Sequence, residues 1–435
     1  MDLAVDISKF LLAVSSLNSL ADSVLNNHNY RVAFISYSIA REISYSSEFL
    51  SNLLVAGLLH DIGLLLIPST EDIVLLKASD FHENEKRIHL HAEVGYELFR
   101  RFPYFSKIAK IIRYHHYPYK FFFKSRIPYS AFIIHLADRI DTFVLSRINT
   151  GYPYSYLSSF IPELESYLKK FKGRIFEPRL VDIFLKKICP KEAFWYELLK
   201  EDIVKETLEE LLKSIASKLP LEAFFDLAQI FAYLIDFKSP FTATHSSGVA
   251  QTAVSLAALF NFTSPDLKKM KVAGLLHDVG KIAIPNEILE KPAKLTVEEY
   301  DVMKSHVFFS YKLISKLGID RNIVEWAAYH HETLDGKGYP FKLRAKDLSL
   351  GSRIMAVADI FTALMEDRPY KKGLPVKRAI AIIDDLVKNG KLDKKVVNVL
   401  KENLEKINVR RETAQKRAVE VYSSLRELVQ KFTSS

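Results

Sequence analysis

The phrase LLHDIGLLLIP runs from Leu58 to Pro68, and LLHDVGKIAIP runs from Leu275 to Pro285. Such a repeat constrains the fold more than composition does, because a period of about half the chain means one folding unit written twice. The polar residues around the phrase repeat with it. His28 stands 32 positions before His60, and His245 stands 32 before His277. HAEVGYEL begins at His91 and HVFFSYKL at His306, and 24 positions after each comes a histidine pair, His115 with His116 and His330 with His331. LADRID carries Asp138 and VADIFT carries Asp359, while Gly173 and Gly390 keep the 217-residue offset of His60 and His277. The repeat divides the chain into a first unit at 1–200, a charged helical connector at 201–219, a second unit at 220–410 and a C-terminal helix at 411–435. Each unit is long enough to bury a core of its own.

With 14 glycines and 16 prolines in 435 residues, breakers are scarce, and long helices are expected throughout. The fold class is all-α, two helical domains in tandem. Cys189 is the single cysteine, which excludes an internal disulfide and agrees with a reducing compartment. The start MDLAVDISKF lacks the basic flank of a secretory signal, so a cytoplasmic location is expected. The most apolar run, Leu53 to Pro68, is broken by His60 and Asp61, a costly pair in lipid, so no membrane span is expected. The net charge of +9 favours anionic ligands by steering, but no helix-turn-helix, zinc finger or aromatic-basic platform points to nucleic acid.

Periodicity puts the polar stations on core-facing stripes. In NIVEWAAYHH, Ile323, Trp326, Ala327 and His330 share one helical face, and SRIMAVADIFTALM is apolar around Asp359. Buried polar groups need partners, and a metal ion is a strong one. A lone histidine on such a face is more often a satisfied core residue, but a random core does not repeat five polar stations at matched spacings. Five imidazoles and two carboxylates exceed the needs of one ion, which points to two metals sharing a carboxylate. Mixed nitrogen and oxygen ligation suits iron, manganese or zinc. A paired site polarises phosphoryl oxygens, supplies a hydroxide for attack on phosphorus and steadies the leaving oxygen.

The motifs HDVGKIAIPNEILEKPAKLTVEEYDVMKSH, HHETLDGKGYPFKL, SRIMAVADIFTAL and RPYKK, in that order over about 240–400, resemble the HD-GYP family of metal-dependent phosphohydrolases. The whole chain is similar to tandem proteins that pair a divergent HD unit with an HD-GYP unit. The resemblance implies an all-helical fold and a phosphodiesterase that opens cyclic di-GMP to pGpG, with GMP as a further product. It also implies that His245, His277, Asp278 and Asp359 hold one metal, and that Asp278 bridges to a second completed by His306, His330 and His331. Asp278 and Lys281 then carry the chemistry, with Lys281 on the scissile phosphate. Asp335, Gly336, Gly338, Tyr339 and Pro340 form the loop that walls the pocket, Tyr339 touching the ligand, and Arg368 and Lys371 hold its phosphates. Arg353 is either a further phosphate contact or half of a structural ion pair.

Two positions depart from the family pattern. Phe241 stands where some members carry a glutamate for a third metal, so two metals are expected; Thr362 stands where many carry an aspartate three residues beyond the last metal aspartate.

The first unit keeps His28, His60, Asp61, His91, His115, His116 and Asp138, which could form a second metal site. It has Leu64 at the lysine position, YPYKFFFKSRIP in place of the DGKGYP loop, and no RPYKK. A phosphohydrolase for another nucleotide, a metal-bearing regulatory domain and a structural partner compete for it; the kept ligands argue against the purely structural reading, and of the other two regulation is preferred because the lysine is gone. Phe121, Phe122 and Phe123 read as core or interface, or as a cover for that unit's pocket. For the whole chain, the alternatives to cyclic di-GMP hydrolysis are another cyclic dinucleotide or nucleotide as substrate, and a metal-bearing receptor that binds without hydrolysing.

Overall fold

In both copies the helix that precedes the HD pair starts on a hydroxyl cap. Ser46 accepts from the Phe49 N–H, and Thr263, 217 positions later, accepts from the Asp266 N–H. These contacts come from a computed structural model, which describes residues 27–43, 46–66, 86–124, 126–147, 154, 157–215, 221–238, 244–366 and 372–433. Among them the protein is helical, with short 3-10 turns; the one extended pairing is an isolated bridge between Lys172 and Phe176. The all-α expectation holds.

The described residues fall into two compact units, 27–215 together with 427–433, and 221–426. The first contains α1 (His28–Arg41), α2 (Ser47–Leu59), α3 (Lys86–Phe99), α4 (Ser106–Tyr114), α5 (Tyr129–Leu145), α6 (Leu157–Phe171), α7 (Pro178–Ile183), α8 (Glu192–Leu198) and α9 (Glu201–Ile215). α1 packs on α2 and α5, and α3 packs on α4. The segment α9, read from sequence as a connector, lays Val204, Leu208 and Leu212 against α1 and α2. The apolar run Ser47–Leu66 has the length and composition of a membrane span. Its residues Leu53 to Leu59 are nevertheless buried in this unit, so its apolar surface belongs to the core.

The second unit contains α10 (Leu221–Lys238), α11 (His245–Leu259), α12 (Ser264–Leu276), α13 (Asn286–Leu289), α14 (Val297–Ser315), α15 (Arg321–Ala328), α16 (Leu350–Met365), α17 (Val376–Lys388), α18 (Lys394–Glu402) and, through Arg426, α19 (Leu404–Thr433). α11 is central and packs on α12, α16 and α10. The stripe expected in NIVEWAAYHH is present, with Ile323, Trp326, Ala327 and His330 all buried. The helix itself stops at Ala328, and the histidine pair sits on the turn that follows.

Repeated glycines explain how close these helices lie. A Cβ on Gly57 would stand 2.9 Å from the Ala33 Cα, and one on Gly274 would stand 2.5 Å from the Ala250 Cα, so each HD-bearing helix crosses the preceding helix backbone to backbone. Just past the HD pair, a Cβ on Gly63 would lie 2.1 Å from the His91 carbonyl oxygen, and one on Gly280 would lie 2.0 Å from that of His306. The Gly280 N–H also donates to Ser310 Oγ at 2.9 Å. These contacts press the 3-10 turn Val279–Ala283 against α14 and set the distance from Asp278 to His306. Gly280→Ala is expected to push the turn off α14 and to cost about 1–3 kcal/mol as an overpacking change. A thermal melt of the metal-free variant against the parent checks this.

Candidate metal centre

One backbone device aims half of the ten cluster histidines. His277 donates from Nδ1 to the Gly274 carbonyl at 2.8 Å, His306 to that of Met303 at 2.5 Å, and His330 to that of Ala327 at 2.7 Å. Each acceptor lies three residues earlier on the helix that the histidine ends or occupies. The first unit repeats the device, with His60 on the Gly57 carbonyl at 2.8 Å and His115 on that of Ile112 at 2.6 Å. Donation from Nδ1 leaves Nε2 with its lone pair, the form that ligates a metal.

In the second unit those lone pairs converge on two carboxylates. Asp278 Oδ2 lies 3.2 Å from His277 Nε2 and 3.8 Å from His245 Nε2, while its Oδ1 lies 3.3 Å from His306 Nε2 and 3.9 Å from His330 Nε2. Asp359 Oδ1 stands 3.1 Å from His245 Nε2, and its Oδ2 stands 3.8 Å from His331 Nδ1. The two oxygens of Asp278 therefore face different histidine sets, as a bridging carboxylate would. The Nε2 atoms of His277, His306 and His330 and the Oδ1 of Asp278 are fully buried without a hydrogen-bond partner. Buried lone pairs in that state carry a desolvation penalty that a divalent cation removes, so the residues present fit a metal pair.

The electrostatics of the histidine pair agree. Burial and the neighbouring His331 and His277 rings hold His330 well below the ordinary imidazole range, and burial takes His331 down to about 4. Both are neutral and able to ligate. Burial opposes ionisation of Asp278, but the neighbouring His277 ring and Lys281 ammonium outweigh it and hold the carboxyl well below its usual range.

Lys281 is brought to the same place, its Nζ donating to Asp278 Oδ2 at 2.6 Å. Burial works against its charge, yet the Asp278 carboxylate prevails and pushes it up, so it stays an ammonium. Tyr339 lies with its ring 4.9 Å from that of His331. Its loop closes because Gly338 has no Cβ: one there would meet the Glu332 Cα and Thr333 N at 2.5 Å. Asp335 accepts from Thr333 Oγ1 at 2.5 Å and from the Lys337 N–H at 3.1 Å, which makes it a brace inside the loop. Pro340 follows Tyr339 across a cis bond. Arg353 binds Asp393 at 2.9 Å and the Leu348 carbonyl at 3.0 Å, which is the structural alternative. Arg368 and Lys371 lie outside the described residues.

The first unit assembles a parallel cluster. Asp61 Oδ2 stands 3.4 Å from His60 and 3.5 Å from His28, and its Oδ1 stands 3.2 Å from His91 and 3.8 Å from His115. Asp138 lies 3.2 Å from His28, and the Nε2 atoms of His116 and His91 face each other at 3.0 Å. Two differences from the second unit stand out. The His116 side chain is 3 % exposed where its counterpart His331 is 30 % exposed, so solvent reaches only the second cluster at this position. Leu64 is buried at the lysine position, and a cation comes instead from Arg139, whose Nη2 lies 3.0 Å from Asp138 Oδ2 and 3.4 Å from His116 Nδ1. Phe122 packs on Tyr119 and Phe132, whereas Phe121 is exposed.

Sequence reasoning missed four residues. Arg139 sat unnoticed in LADRID, although the second unit has Ile360 at the matching place. Glu332 follows the histidine pair and, fully buried, accepts from the Phe341 N–H at 2.6 Å and the Leu343 N–H at 3.0 Å, holding the loop shut. Asp236 accepts from the N–H and hydroxyl of Ser246 at 3.1 and 2.7 Å, tying α10 to the start of α11, and burial pushes its carboxyl up to about 8. Glu366 receives a bond from His245 Nδ1 at 3.2 Å. A buried acid at the end of an apolar helix was the available signal for the last.

Comparison with known proteins finds HD domain family models at residues 26–142 and 229–396. The chain is 31 % identical to 3'3'-cGAMP-specific phosphodiesterase 1 of Vibrio cholerae over 388 residues, which is 87 % of both chains. It is 37 % identical over 157 residues to a cyclic di-GMP phosphodiesterase of Pseudomonas aeruginosa, covering 36 % of this chain and 37 % of that one. A crystal structure of a cyclic GMP-AMP-specific phosphodiesterase from V. cholerae superposes with a TM-score of 0.57 over 93 % of this chain and 98 % of that one, at 23 % identity, and so shares the fold.

Glu332→Ala would leave two part-buried N–H groups without their carboxylate acceptor, at up to about 1 kcal/mol each. Faster amide exchange across 338–344, with metal content unchanged, is the expected result in hydrogen-exchange mass spectrometry.

Proposed function

The chain belongs to the HD-GYP family of HD-domain phosphohydrolases, and on that premise we propose that its second unit is a phosphodiesterase that opens a cyclic dinucleotide. The observation that carries this reading is Asp278, whose two oxygens face separate histidine sets while Lys281 donates to one of them at 2.6 Å. The set His245, His277, Asp278 and Asp359 would hold one divalent ion, and Asp278 with His306, His330 and His331 the other, with iron or manganese suited to the donors and zinc an alternative. Bound there, the pair supplies Lewis-acid polarisation of the phosphoryl group and a nucleophilic water at neutral pH.

The protein's own groups do the rest. Lys281 stays charged and would donate to a nonbridging phosphate oxygen, offsetting charge that develops during attack. Tyr339 lies against His331 and would pack on a base or ribose at the pocket wall, and Gly338 and Pro340 set the backbone that presents it. Arg368 and Lys371 are proposed to hold the remaining phosphates, arginine through its forked donors.

For the substrate, cyclic di-GMP yielding pGpG and then GMP is the reading from the motifs. A second reading, 3'3'-cGAMP, is favoured by the relative that matches along 87 % of this chain. The first unit is proposed as a metal-bearing regulatory domain, because it keeps the ligand set while lacking the lysine and the GYP loop. A cytoplasmic location suits a buried free cysteine and a nucleotide messenger.

Purified protein loaded anaerobically with iron or manganese is expected to turn over at least one of the two cyclic dinucleotides. Full metal loading without turnover of either would favour the receptor reading. Lys281→Met should retain metal and lose about 10²–10³-fold in kcat, the usual effect of removing one transition-state donor. An undiminished kcat would remove Lys281 from the chemistry. His277→Ala and Asp278→Ala should lose both metal and turnover. His60→Ala and Asp61→Ala should leave turnover measurable, and its complete loss in folded variants would overturn the regulatory assignment.

A further inference from the structure

The first metal histidine of each unit is oriented by a carboxylate, and the two units take that carboxylate from different places. In the first unit, His28 Nδ1 donates to Asp141 Oδ2 at 2.7 Å, and Asp141 is fixed in turn by Arg31 Nε at 2.6 Å. Asp141 lies three residues beyond Asp138, one turn along α5. The matching residue in the second unit is Thr362, which is fully buried and faces Thr252 Oγ1 at 3.4 Å. The work of Asp141 there falls to Glu366, seven residues beyond Asp359, where α16 ends. The longer side chain of Glu366 reaches back from the cap, and His245 Nδ1 meets its Oε2 at 3.2 Å.

Glu366 is itself held by two further donors. Its Oε1 accepts from Thr244 Oγ1 at 2.5 Å and from Gln415 Nε2 at 3.1 Å, and Gln415 Nε2 also reaches Thr244 Oγ1 at 3.2 Å. Gln415 comes from α19, beyond the stretch 229–396 that matches the HD family model. On the same helix, one turn earlier, Arg411 donates to the Gln415 amide oxygen. Both polar residues lie on the buried stripe of α19, Arg411 at 3 % and Gln415 at 9 % exposure, between Ile407 and Ala418. Room for Gln415 exists because Gly248 on α11 has no Cβ; one there would stand 2.9 Å from Gln415 Nε2.

We propose that Glu366 is the positioning residue for His245, taking the place that Asp141 fills in the first unit, and that Gln415 on α19 holds Glu366 in position. This rests on the reading of His245 as a metal ligand. An acceptor on Nδ1 fixes the tautomer and ring plane of a ligating histidine and raises the basicity of Nε2, and its loss typically costs about 10–100-fold in metal affinity or activity. The terminal helix is thereby part of the second metal centre.

The test titrates manganese into the metal-free full-length chain and measures metal retained after a chelator challenge, with a melt of each metal-free variant as the control for folding. Glu366→Ala is expected to weaken second-unit binding about 10–100-fold. Glu366→Gln, which keeps the shape and removes the charge, should fall between it and the parent, and Gln415→Ala should shift binding in the same direction by less. Adding Thr362→Asp to Glu366→Ala puts back the first unit's carboxylate, though not the arginine that fixes it, since Gly248 stands where the first unit has Arg31, and should restore part of the affinity. Parental affinity in both Glu366 variants, or no recovery with Thr362→Asp in a chain that melts as the parent does, would overturn the proposal. His245→Ala separates the two levels. If it leaves second-unit affinity unchanged, the ligand reading fails; if it lowers affinity while the Glu366 variants do not, the positioning role alone fails.

Discussion

A carboxylate buried between two sets of imidazoles is the constraint around which each unit is built. Asp278 and Asp61 sit at 3 % exposure, with rings on both sides and too few hydrogen-bond donors to satisfy four lone pairs. An anion in such surroundings persists only if cations or oriented N–H groups meet it. The fold is arranged to meet that requirement. Histidine rings are turned by their own helix carbonyls, glycines let the helices approach to backbone contact, and a lysine in one copy and an arginine in the other bring fixed positive charge to the cluster.

The two copies show how far that arrangement bends without breaking. The HD aspartate, the Nδ1-to-carbonyl device and the glycine contacts recur in both, because each depends on backbone geometry that a substitution elsewhere does not alter. The parts that differ are side chains packed around the cluster: Lys281 against Leu64, Ile360 against Arg139, Thr362 with Glu366 against Asp141. In the first unit the cation bonds a cluster carboxylate from the same helix, and the His116 edge is closed. In the second the cation bonds the shared carboxylate, and the cluster opens beside Tyr339. The cluster residues are common to the two; the access and the charge placement differ.

Much of this was legible in the chain itself. The repeat of His, His-Asp, His, His-His and Asp at matched spacings singled out all fourteen residues that the structure brings into two clusters, and periodicity put His330 and Asp359 on buried stripes. Helix content followed from the scarcity of breakers. Glu332 and Asp236 were not legible, because each acts through a backbone N–H, and Arg139 was not, because only packing decides that its side chain turns back to Asp138 and His116; none of these leaves a spacing that one sequence can reveal.

The sequence by itself determined the duplication, the helical class and the residues of the two polar clusters, since those are written in local patterns of three to four residues and in offsets between copies. Only the tertiary structure decided which atoms face which. That Asp278 divides its two oxygens between histidine sets, that Arg353 braces Asp393, and that a glutamine 171 residues beyond Thr244 bonds its hydroxyl are consequences of helix crossing and close approach. Packing sets those distances, and packing depends on every residue of the core at once.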